Sequence, residues 1–101
     1  MNNLETQEAR FREMAIALLA ERIIELNKFR DNHFITGKLA RIKTFNRELE
    51  IFKQQLNDRM GLILDENKGS SFYVKLEVAI KSIYEEFISE YMCLSFVKDG
   101  V

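Results

Sequence analysis

Residues 27–47 hold Lys28, Arg30, Lys38, Arg41, Lys43 and Arg47 against a single acid, Asp31, in a chain whose net charge is −1. The flanking stretches, 1–26 and 48–101, are each net acidic. Phe29, His33, Phe34 and Phe45 are interleaved with these cations. Positive groups beside ring faces suit phosphates and stacked bases. A helix opening near Thr36 would add free backbone amides at the same place, so that Lys38 and Arg41 hold a phosphate at a helix start. Phe34 is the ring most open to such a role, because it falls in a predicted break. Phe29 and Phe45 fit the apolar pattern of a core, and in the competing account the cations are simply a solvated helix face.

Catalytic chemistry finds little to use. His33 is the only histidine and Cys93 the only cysteine. No HExxH, CxxC, GxSxG, Walker or GxGxxG spacing occurs. A zinc site would want three or four ligands that this inventory does not supply. Glu85, Glu86 and Glu90 read as a solvated helix face and not as paired acids. The expectation is a protein that is not an enzyme and carries no cofactor or metal. The near-neutral charge also disfavours nucleic acid, because duplex binding draws on a broader basic surface.

The elements that must position these residues are helical. Proline is absent, and glycine occurs only at 37, 61, 69 and 100, so long uninterrupted helices are permitted. From Leu4 to Arg30, apolar residues form two adjacent stripes, a wider face than one partner helix needs. That excess predicts a second surface, such as another protomer. The break at Asp31–His33 is followed by Thr36 as a candidate N-cap. From Lys38 to Leu64, Leu39, Ile42, Phe45, Leu49, Phe52, Leu56, Met60 and Ile63 recur at helical spacing. Asp65–Gly69 reads as a loop, with Ser70 or Ser71 capping the next element.

Two templates compete for that third element. Phe72, Val74, Leu76, Val78 and Ile80 alternate as a strand would, whereas Phe72, Leu76, Ile80, Ile83, Phe87 and Tyr91 follow a helix for longer. Tyr73, Tyr84 and Tyr91 lie at helical spacing, as core or interface residues do, and Met92 and Cys93 read as core. The predicted fold class is all-α: one domain over 1–101, with three long helices at about 4–30, 38–64 and 72–97. They form an antiparallel bundle completed by oligomerisation, a homo-oligomer. The longest apolar run, Met14–Ala20, is too short for a membrane span. With no signal-peptide pattern and no disulfide framework, a cytoplasmic location is expected.

The stretch Ser70-Ser71-Phe72-Tyr73-Val74-Lys75-Leu76-Glu77-Val78-Ala79, a serine-led loop entering a helix, resembles the last helix of the phage anti-CBASS cyclic-nucleotide sponges. Members of that family are small, all-helical, oligomeric proteins that sequester cyclic oligonucleotide immune signals. The resemblance implies a nucleotide-binding, anti-defence role in the host-cell cytoplasm. It implies that Ser70, Ser71 and Lys75 lie near a ligand, with basic and aromatic groups from a neighbouring protomer. With the basic segment, the candidate ligand-binding set is His33, Phe34, Lys38, Arg41, Ser70, Tyr73 and Lys75. The alternative expectation is a helical protein–protein interaction module, or an inhibitor of a host or partner protein.

Overall fold

In a computed structural model that describes residues 3–32 and 37–94, the chain forms three helices: α1 (Leu4–Asn32), α2 (Lys38–Glu66) and α3 (Tyr73–Met92). Each packs on the other two, and no strand occurs among the described residues. α1 and α2 hold 29 residues each, or about 43 Å at roughly 1.5 Å per residue. The molecule is a rod of 54 × 18 × 17 Å. Arg10 pairs with Glu66, and Tyr91 of α3 donates a hydrogen bond to the Phe45 carbonyl at 2.7 Å. The helices are therefore antiparallel in sequence order. The start of α1 shares one end with the α2–α3 turn, and the end of α1 and the start of α2 lie at the other.

The core is the meeting line of three stripes: Phe11, Ala15, Leu18 and Leu26; Phe45, Phe52, Leu56 and Ile63; Leu76, Ile80, Ile83, Phe87 and Tyr91. The helical template thus holds for the third element. Val74 and Val78 are 72% and 66% exposed, so the strand-like alternation came from valines on the outer face of a helix. Leu39, placed on the buried stripe by its spacing, is 65% exposed. α3 reaches only to the level of Phe45, so the first turn of α2 has no third helix over it among the described residues. Met92 and Cys93 are exposed at the end of α3 and do not belong to the core.

The helix ends also differ from expectation. α1 runs on to Asn32, and α2 takes in Asp65 and Glu66. Gly37, in extended backbone, is the N-cap of α2 and offers no side-chain cap; Thr36 lies outside the described residues. Asn67 closes α2 by donating its side-chain amide to the Ile63 carbonyl at 2.8 Å and to Gln7 of α1 at 3.3 Å. Ser70 does not cap α3, whose N-cap is Phe72 without a side-chain bond. Its hydroxyl donates instead to the Asn67 carbonyl at 2.9 Å, tightening the turn.

One charged pair sits in the apolar seam. Glu48 accepts from Arg22 at 2.6 Å, with side chains 7% and 12% exposed, and Arg47 reaches the same carboxylate at 3.4 Å. A buried charge left without its partner costs several kcal/mol, so this pair fixes how α1 slides along α2. Replacing Glu48 by Ala is expected to lower the unfolding free energy by about 3 kcal/mol, because it strands the Arg22 guanidinium. Replacing Arg22 and Glu48 together by Leu should recover most of that loss in denaturant titration; a double variant no better than the single would contradict the assignment.

Candidate anion-binding site

Of the basic segment, Lys38 and Arg41 lie in the first turn of α2. Lys38 is its first residue and exposed; Arg41 is half-buried, its amide bonded to the Gly37 carbonyl at 3.1 Å. The first turn holds no acid, and from Lys38 to Arg47 four cations occur with no carboxylate. The first amides of the helix point the same way, adding partial positive charge. Lys43 is exposed, whereas Arg47 leans to Glu48 and Lys28 pairs with Glu25 on the surface of α1. His33 and Phe34 lie outside the described residues.

The rings of this segment that are described belong to the core. Phe45 is 7% exposed, with its centroid 4.7 Å from that of Tyr91. Phe29 is half-buried against the same cluster. Neither presents a bare face for a base to stack on.

Ser70, Tyr73 and Lys75 sit at the far end of the rod. Lys75 is exposed, Tyr73 and Ser70 are half-buried, and the Ser70 hydroxyl is already bonded within its turn. Two residues along a helix turn through roughly 200°, so Tyr73 and Lys75 point to different sides of α3. The length of α2 sets this group about 40 Å from Lys38 and Arg41. One chain therefore does not bring the predicted residues together: Lys38 and Arg41 lie near one end of the rod, and Ser70, Tyr73 and Lys75 near the other.

Two open grooves run between α1 and α3, and neither contains a predicted site residue. One, of about 440 Å³, is lined by Glu5, Glu8, Ala9, Arg12, Ala79 and Ser82 among others. The other, of about 400 Å³, is lined mainly by Ile16, Leu19, Ala20, Ile23 and Phe87. Arg12 bridges them, paired with Glu86 and 6.0 Å from the centre of the Phe87 ring. The side-chain hydrogen bond to Glu86 holds the Arg12 pKa above its ordinary value. Likewise Arg10, bonded to Glu66, draws the Glu66 carboxyl below its usual range.

Sequence reasoning passed over Glu48, whereas Tyr91 sits in the core as its helical spacing implied. Glu48 lies three residues after Phe45 and four before Phe52. That spacing puts a carboxylate on the apolar line and was the available signal. Tyr91 is fully buried, and desolvation raises its pKa well above the ordinary phenol value. Among the described residues no group of three or more His, Cys, Asp or Glu could hold a metal, and no helix is long and apolar enough to cross a membrane. Comparison with protein-family models, curated proteins and solved structures returns no match.

The buried phenol gives a pH prediction. A folded-state pKa raised above the unfolded value of about 10 contributes stability below that pH, and the contribution is lost as pH climbs further. Tyr91→Phe should cost about 1 kcal/mol at neutral pH for the lost hydrogen bond. It should also unfold with a shallower decline between pH 9 and pH 11, roughly the range where an ordinary phenol ionises. Parallel stability–pH curves for the two proteins would contradict this.

Proposed function

We propose that the protein is a non-enzymatic, oligomeric binder that sequesters a small anionic ligand, with cyclic oligonucleotide signals as the substrate class, in the cytoplasm. The observation that carries this is the charge at the start of α2. Cations near a helix N-terminus are unfavourable, because they face the positive end of the helix dipole. Natural helices place acids there, yet the first turn of α2 holds Lys38 and Arg41 with no acid. A bound phosphate turns that local penalty into an attraction, since amides and cations then share one anion.

The likeness of Ser70–Ala79 to the cyclic-nucleotide sponges supports the choice of ligand class. Because one chain holds Ser70 and Lys75 about 40 Å from Lys38 and Arg41, the reading requires an oligomer in which Ser70 and Lys75 of one copy serve the Lys38 end of another. The alternative, an interaction module or inhibitor of a partner protein, draws on a different feature: Ile16 and Ile24 are more than half exposed on α1.

A thermal-shift series with cyclic di- and trinucleotides tests the reading. At a hundredfold excess over the dissociation constant, a ligand that binds only the native state adds about 2.7 kcal/mol, and the midpoint should rise accordingly. Lys38→Glu combined with Arg41→Glu should abolish that rise. Exposed Lys38 replaced alone by Glu, free of ligand, should be at least as stable as wild type, because it places an acid at the helix start. A ligand response undiminished in the double variant would remove this site, and no response to any nucleotide would favour the interaction module.

A further inference from the structure

α1 is apolar on two opposite sides. Its inward line is buried, yet its outward line carries Ile16, Ala17, Ala20 and Ile24, all exposed, with Ile16 at 55% and Ile24 at 53%. Half-buried Leu19 and Ile23 extend this patch into the groove beside Phe87. From Met14 to Ile24 the only charged residues are Glu21 and Arg22, and Arg22 is turned inward to Glu48. A helix apolar on every side has neighbours on every side, and a contiguous exposed apolar patch marks an interface. One neighbour is missing from the single chain.

The order of the residues identifies it. About Ala20, Ala17 and Ile23 lie three positions to either side, Ile16 and Ile24 four, and Glu13 and Asn27 seven. A two-fold interface needs a patch complementary to itself, and here the two large exposed side chains, Ile16 and Ile24, stand at equal distances from Ala20. Laid antiparallel across an axis at Ala20, Ile16 of each copy meets Ile24 of the other, while Ala17 and Ala20 let the backbones approach. Exposed Glu13 then comes beside Asn27 and the exposed Lys28 of the second copy. A parallel pairing would set Glu13 against Glu13, which is repulsive.

We propose that the outward face of α1 forms an antiparallel two-fold dimer centred on Ala20. The proposal rests on the oligomeric reading above and gives it a geometry. Because the copies run in opposite directions, Lys38 and Arg41 of one lie at the same end of the assembly as Ser70 and Lys75 of the other.

The test needs no ligand, so its failure is distinct from failure of the nucleotide reading. Sedimentation equilibrium of the full chain at micromolar concentration should give a dimer or an even multiple of it. Ile16→Glu, at an exposed position, should keep wild-type helicity and weaken association at least tenfold. With Cys93 replaced by Ser, Ile16→Cys and Ile24→Cys should each fail to form disulfide-linked dimers alone but cross-link when mixed. A monomeric wild type, an Ile16→Glu variant that associates normally, or cross-linking of Ile16→Cys with itself would overturn the proposal.

Discussion

A carboxylate on an apolar seam tolerates few arrangements, and Glu48 has the one it needs. Its bond to Arg22 lies midway along the α1–α2 contact, where side chains are 7% and 12% exposed. Hydrophobic stripes alone permit neighbouring helices to slip by a turn at modest cost, since one leucine replaces another. A buried ion pair does not slip, because the shifted state leaves two charges unpaired in a medium that solvates them poorly. Tyr91 plays the same part for α3, its hydroxyl reaching the Phe45 carbonyl beneath the stacked Phe52 ring. Asn67 holds the other end by tying the last turn of α2 to Gln7. Three polar contacts along the rod thus select one register from several that burial would accept.

Much of this was legible in the residues. The 3–4 spacing from Leu39 to Ile63 and from Leu76 to Tyr91 is enough to specify two amphipathic helices, the paired stripes from Leu4 to Arg30 specify the first, and the absence of proline removes the usual breakers. The errors cluster where a neighbour's length decides the outcome. Leu39 continues its stripe but is exposed because α3 stops short of it, and Met92 and Cys93 follow the last buried turn without sharing its cover. Helix spacing records which way a side chain points, not whether anything stands opposite. For the site, the sequence revealed the cations but not their separation from Ser70 and Lys75, since distance along the rod depends on antiparallel packing.

Two features of the chain run against local preference, and both lie on the outside. Lys38 and Arg41 occupy the positive end of α2 with no acid in its first turn, and isoleucines occupy the solvent side of α1. Neither stabilises an isolated chain: the first opposes a dipole, and the second wets apolar surface. Sequences are mostly consistent from one level to the next, and departures concentrate where something must be bound. One departure suits an anion and the other a second helix. The proposed assembly combines the two, each chain lending a different end to a shared pocket.

That sharing can be read directly by mixing two crippled chains. Lys38→Glu/Arg41→Glu damages one half-site and Lys75→Glu the other, so each variant alone should fail to bind a cyclic trinucleotide in isothermal titration. In a two-fold dimer, random exchange makes half of the molecules mixed, each with one fully wild-type pocket, so the mixture should regain about a quarter of the wild-type capacity. A mixture that stays as inert as its components would contradict a pocket built from two chains.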